Sequence, residues 1–289
     1  MSSNDLLQKV KQLREITEVG FKDCKNAIDE TNGDIEKSVE LLRKKGIAKA
    51  SKRMTRVAAE GLISIYEQDN KFSMIEINSE TDFVARNNQF INFAEEISQL
   101  ALINFGKMED ILNSKMANKK NVKDSLVNLI FKIGEKITLR RSAFVGKDKS
   151  TNFSYIHSSI KKNVGKLGVL LSINTTKPKN EILTFGKQMA MQIAASSPLA
   201  IDQENLDQNI LQKEKEIITE ELKNSGKNTK IVEKIAIGKL NKFIADNTLL
   251  NQEWIMDPKK KVRDILKEVA GKDKIEIKKF VRFKVGEGV

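Results

Sequence analysis

Leu6, Val10 and Leu13 recur at the spacing of one helical face, and the pattern breaks at Val19-Gly20-Phe21. A second apolar stripe, Cys24, Ala27 and Ile28, ends at Asn32-Gly33. A third, Ile35, Val39 and Leu42, comes after Asp34, a residue type that caps helices, and is expected to stop at Gly46. Residues 1–50 are thus predicted to form a small three-helix module, and residues 51–60, basic and weakly patterned, a linker.

Beyond the linker the period changes. Gly61 to Tyr66 and Lys71 to Ile77 are β-rich runs around Gln68-Asp69-Asn70, which predicts a hairpin. Phe90, Phe93, Ile97 and Leu100 then return to helical spacing, as do Leu126, Leu129, Ile130 and Ile133 within a helix from about Asp124 to Ile133, and "KITLRRSAFV" reads as a closing strand. The same order recurs: strands at Tyr155-Ile156-His157 and Lys166 to Ile173, a helix from Ile182 to Ala194, and a closing "KIEIKKFVRFKV" that echoes the earlier strand in its paired basic residues. This repetition predicts two related α+β subdomains, 61–146 and 147–289, each a small antiparallel sheet with helices on one face.

Two charged segments, Leu206 to Lys223 and Lys230 to Phe243, interrupt the second half around Ser225-Gly226. Ile210, Ile217 and Leu222 are expected to face Ile231, Ile235 and Phe243 in an antiparallel helical hairpin, an arm spanning about 206–243. Asp257-Pro258 has the chemistry of a helix start, predicting a last helix that ends near Gly271.

Composition narrows the function classes. At 289 residues with 39% hydrophobic and 31% charged positions, the chain has material for real cores and reads as globular. No apolar run approaches a membrane helix and the polar start lacks a signal-peptide h-region, so a cytoplasmic location is expected. One cysteine, Cys24, excludes an internal disulfide; with one histidine, thiolate or zinc metal chemistry is nearly closed off, and no cofactor is expected. The net charge of +12 would draw in phosphates or an acidic protein face.

Catalytic patterns are missing from the residues themselves. Cys24 and His157 fall in different predicted domains, Cys24 on a core stripe, and no nucleophile elbow, metal-ligand spacing or phosphate loop is present. That points away from an enzyme and toward binding. The stretch "EINSETDFVARN", residues 76–87, runs from strand to helix and carries Phe83 on neither stripe. Spacing leaves two alternatives open: Phe83 is an exposed interface anchor, or it tucks under the sheet while Asp82 or Ser79 caps the helix.

That stretch resembles a signature of bacterial elongation factor Ts. "LREITEVGFKDCKNAIDETNGDIEKSVELLRKKG" resembles the other, and "IGEKITLRR", Tyr155 with His157, "AASSP", "WIMDP" and "RFKVGEG" match the family in order along almost the whole chain. The resemblance implies a ubiquitin-associated-like three-helix domain, a core of two similar α+β subdomains and a coiled-coil arm. It also implies a guanine nucleotide exchange factor for elongation factor Tu in protein biosynthesis, with no nucleotide site or cofactor of its own. Carried over position by position, Thr81, Asp82, Phe83 and Val84 match the stretch implicated in dislodging the partner's magnesium. Phe21, Lys22 and Lys25 match positions that dock on its G domain. His157, and the pair Ile255 and Met256, match further contacts. Lys22 stands where some relatives have methionine, and some relatives continue into a further helix past the terminal "VGEG". The rival expectation, resting on charge, is a basic RNA-binding protein of the translation machinery. A homodimer or a 2:2 complex with elongation factor Tu is a further expectation.

Overall fold

The structure, a computed structural model, describes residues 3–223 and 229–289. Three helices open it: α1 (Ser3–Thr17), α2 (Phe21–Glu30) and α3 (Ile35–Arg53). Val10, Leu13, Cys24, Ala27, Ile28 and Leu42 close a small core between them. Asp34 caps α3 as its sequence position suggests, its carboxylate accepting from the Lys37 amide at 3.0 Å.

Gly46 does not stop α3. The helix runs on to Arg53, because Gly46 sits where a ring from the next domain crosses it: a Cβ there would lie 3.2 Å from the Phe131 ring. Its smallness serves close helix packing, and the nearby Ala48 and Ala50 favour continued helix. The expected linker therefore shrinks to the few residues after Arg53. The module is fastened to α7 of the next segment (Val122–Ile133): Arg53 donates to the Ile130 carbonyl at 2.8 Å, and the Lys49 ammonium stands 5.1 Å from the Phe131 ring centre.

Strands β1 (Glu60–Gln68) and β2 (Lys71–Ser79) form the expected hairpin, with Asp69 and Asn70 both at positive φ. Residues with short polar side chains tolerate that conformation best after glycine, and a turn of two such residues matches the strand twist. After it come α4 (Asp82–Ala85), α5 (Asn88–Ile103), a short α6 (Met108–Asn113) that periodicity did not reveal, α7 and β3 (Thr138–Val145). The second half supplies β4 (Thr151–Lys161), β5 (Val164–Thr175), α8 (Leu183–Ser196), α9 (Gln208–Lys223), α10 (Thr229–Asn247), β6 (Glu253–Trp254), β7 (Asp257–Lys261), α11 (Val262–Ala270) and β8 (Ile275–Lys284).

The architecture is α+β with antiparallel sheet. In each half the second strand is central: β2 lies between β1 and β3, and β5 between β4 and β8. The two meanders are one continuous sheet, joined by a short ladder in which Ile63 and Ser64 of β1 pair with Gly165 and Val164 of β5. Side chains alternate as the pleat requires. Leu62, Ile75 and Ile77 face α5 and α7, and Val169, Leu171 and Ile173 face α8. The opposite faces meet each other, with Ile63, Ile65, Phe72 and Met74 packing on Leu170 and Phe283.

Two further expectations are corrected. Asp257-Pro258 does not start a helix: Asp257 pairs with Trp254 across a tight turn and opens β7, and α11 begins only at Val262, where the Lys261 amide donates to Asp264. Proline lacks an N–H whether it opens a helix or lies in a short edge strand, so the dipeptide fits both. In the arm, α9 and α10 run antiparallel, Glu221 meeting Lys239 at 2.6 Å while Leu211 packs with Ile244. The inward stripe is Leu211, Ile218 and Leu222; Ile217 and Ile231 are exposed. The expected turn at Ser225-Gly226 lies outside the described residues.

Candidate functional site: an exposed turn and its neighbours

β2 ends at Ser79 and α4 begins at Asp82, so the backbone must turn within two residues. Ser79 is buried and its hydroxyl donates to the Thr81 carbonyl at 2.9 Å. Thr81 is the residue preceding α4, in extended conformation and without a side-chain cap, so neither Ser79 nor Asp82 plays the expected capping role. The Glu135 carboxylate, from the loop between α7 and β3, holds the backbone just ahead of the helix. It accepts from the Glu80 amide at 3.1 Å, the Thr81 amide at 3.0 Å and the Thr81 hydroxyl at 2.7 Å.

The single helical turn that begins at Asp82 has a divided surface. Val84 and Ala85 point into the first core, whereas Asp82 is exposed and Phe83 is 80% exposed, the most of any large apolar side chain described. Of the two alternatives left by spacing, the buried staple is excluded. An aromatic ring standing in water on an anchored turn gains nothing for the fold, and such side chains are the usual anchors of protein interfaces.

The first helical module is brought toward this turn. Glu18, between α1 and α2, takes a hydrogen bond from Gln89 at the start of α5 (3.0 Å) and a salt bridge from Lys132 at the end of α7 (2.6 Å). Lys132 holds the Glu18 carboxyl below its ordinary pKa. Just beyond it, α2 presents Phe21, 47% exposed, with Lys22 and Lys25 in solvent. Cys24 between them is buried in the module's core, and burial pushes its thiol pKa up, so it stays protonated and inert.

The second half carries the remaining predicted positions. His157 lies within β4, not at its end, and is exposed, its Nδ1 3.0 Å from the Tyr155 hydroxyl two residues away on the same strand face. Ile255 and Met256 form the tip between β6 and β7, 40% and 47% exposed. The tip is organised from inside by Gln192 of α8, a fully buried side chain absent from the sequence-based candidates. Its Oε1 accepts from the Ile255 amide at 2.8 Å and its Nε2 donates to the Glu253 carbonyl at 3.1 Å. Trp254 anchors the same hairpin by stacking on Phe185. Replacing Gln192 by leucine leaves both backbone groups unpaired at a cost of about 1–3 kcal/mol. Amide exchange at Ile255 should then accelerate at least about tenfold, an opening of about 1.4 kcal/mol; protection equal to that of the parent chain would refute this role.

Phe83, Phe21, Ile255 and Met256 are thus exposed apolar side chains, and the turn of Phe83 and the tip of Ile255 and Met256 are each held from behind by a polar side chain of another element. Among the described residues no group of three or more His, Cys, Asp or Glu side chains is arranged to hold a metal ion, and no helix is long and apolar enough to cross a membrane. Comparison with known proteins identifies the context of these side chains. The model of the family described as Elongation factor TS matches residues 80–287, which begin at the Glu80 turn. Elongation factor Ts of Methylorubrum extorquens strain PA1 is 43% identical over 283 residues, 97% of this chain and 92% of the relative. That of Bartonella henselae is 42% identical over 289 residues, and that of Maricaulis maris 40% over 286, each across 97% of this chain.

The chain belongs to the elongation factor Ts family. Membership implies a nucleotide exchange factor in translation elongation, not a catalyst that converts a bound substrate. The motifs named in the sequence also acquire physical roles. "IGEKITLRR" supplies Glu135 to the turn and Arg140 and Arg141 to the buried Glu76, and the helix running into "AASSP" supplies Gln192 to "WIMDP".

Proposed function

We propose that this chain accelerates GDP release from elongation factor Tu by docking Thr81 to Val84 beside the partner's magnesium site. The observation that carries the reading is Phe83, solvent-exposed on a turn whose other side is buried and hydrogen-bonded. In the proposed complex the ring wedges into the G domain, and the exposed Asp82 carboxylate contacts polar groups that hold the metal. Phe21, Lys22 and Lys25 make a second contact from the first module, the lysines suiting an acidic or carbonyl-rich surface. His157 with Ile255 and Met256 makes a third from the second half, where a different part of the partner would lie.

Exchange needs no bond making. By linkage, a factor that binds the nucleotide-free partner more tightly than the GDP-bound one weakens GDP by the same free energy. Each tenfold gain in release rate requires a barrier lower by about 1.4 kcal/mol, so a single anchor suffices for tens-fold and the three contacts together for more. Stopped-flow release of a fluorescent GDP from elongation factor Tu, with and without this chain, is the deciding experiment. Concentration-dependent acceleration is expected, and an unchanged rate would overturn the reading.

A further inference from the structure

Glu135 has a counterpart across the turn. Glu80, on the turn side, accepts from the Lys136 amide at 2.6 Å, so each of the two segments places a carboxylate on the other's backbone N–H groups. Arg56, just after α3, donates to both oxygens of Glu80 at 3.2 and 3.3 Å, and the Lys136 ammonium donates to the Arg56 carbonyl at 2.7 Å. Three chain segments, from the first module, the turn and the loop before β3, converge in this one polar clasp.

We infer that Glu135 is a positioning residue that presets the presentation of Phe83, and that Arg56 relays the seating of the first module to that turn through Glu80. The inference rests on the reading given above for Thr81 to Val84. A helix of one turn without a side-chain cap does not hold its shape alone, and here the two amides that lead into it are both held by the Glu135 carboxylate. Because Phe83 is in water, the fold has no stake in the direction of its ring. Order imposed on residues 80–81 therefore serves docking, by removing the entropy a loose turn would lose on binding. The clasp sits at the surface and owes little to the apolar cores, so it can be loosened without unfolding the chain.

Release of fluorescent GDP from elongation factor Tu, measured over a range of factor concentrations, tests this with Glu135→Gln, whose amide N–H₂ opposes the backbone donors. Release at saturating factor should slow about tenfold, the effect of losing about 1.4 kcal/mol of presentation. The melting midpoint should fall by only about 2–4 °C. In a Phe83→Ala background the same substitution should add less than about twofold, since residues acting through one another are not additive. Thr81→Val, which removes only the hydroxyl donor, and Arg56→Gln should each slow release about threefold. Full-speed release by Glu135→Gln, or an undiminished loss in the Phe83→Ala background, would overturn the positioning role. Full-speed release by Arg56→Gln would overturn the relay. A parent chain that does not accelerate release at all would overturn the function reading itself, which the variant arms leave distinct.

Discussion

Phe83→Ala is expected to slow GDP release from elongation factor Tu by at least about tenfold, and by about thirtyfold if the ring contributes the 2 kcal/mol typical of an interface anchor. The fold should not notice. Truncating a side chain that is 80% exposed removes almost no packing, so the stability change should stay within about 0.5 kcal/mol. The neighbouring Val84 is the control: it is buried against the first core, and its truncation would lower stability and exchange together. The two measurements are release kinetics at saturating factor and a thermal melt of the same preparation. Wild-type kinetics in the alanine variant would remove Phe83 from the mechanism, and a lowered melting midpoint would give its ring a share in the packing of the fold.

Local signals in the sequence reached the elements whose causes are local. Asp34 caps α3 because its carboxylate needs only the amide three residues on, and Asp69-Asn70 makes a hairpin because both residues accept positive φ. Expectations failed where the deciding atom came from elsewhere. Gly46 looks like a stop until the Phe131 ring crosses it, and Ile217 looks like core until the arm's partner helix selects Leu211 and Ile218. The site shows the same division. Spacing left open whether Phe83 points in or out, and the carboxylate that holds the backbone just before it comes from Glu135, 54 residues from Thr81. Gln192 and Glu135 escaped notice because a buried or half-buried polar side chain has no periodicity; its meaning lies in which backbone groups it reaches. The repeat of strands and helices was legible, whereas the joining of the two sheets through Ile63 and Gly165 required strand pairing across 102 positions.

The largest stability effect is expected at Glu76 of β2, a carboxylate with a fully buried side chain. It forms salt bridges with Arg140 at 3.1 Å and Arg141 at 2.5 Å, and accepts from Asn78 Nδ2 at 3.0 Å and the Gly286 amide at 3.0 Å. The last contact comes from the "VGEG" turn after β8, so one carboxylate fastens the first half of the sheet to the end of the second. Gly286 is required there: its φ is +73°, and a Cβ would strike the Ala59 carbonyl. The two arginines brace the same turn from the other side, Arg140 donating to the Glu287 carbonyl at 2.7 Å and Arg141 stacking on Phe283. Glu76→Gln keeps the shape but removes the charge and turns one acceptor into a donor. Breaking a buried pair by changing one partner typically costs about 3–5 kcal/mol; because the arginines are 25% and 30% exposed and can rehydrate, about 3 kcal/mol is expected. The pH dependence separates charge from shape. Burial alone would raise the Glu76 pKa, but the Gly286 amide, Asn78 and Arg141 outweigh it and hold the group below its ordinary 4.5. A carboxyl more acidic in the folded than in the unfolded chain stabilises fully above the unfolded value, and that contribution is lost as pH falls toward the folded one. Urea midpoints of parent and Glu76→Gln should therefore differ most at pH values above 4.5 and converge on acidification through and below it. A gap that stays constant with pH would assign the loss to shape, and a gap under about 0.5 kcal/mol at neutral pH would mean that the β1–β5 ladder and the apolar cluster around Phe283 hold the halves together without help from this carboxylate.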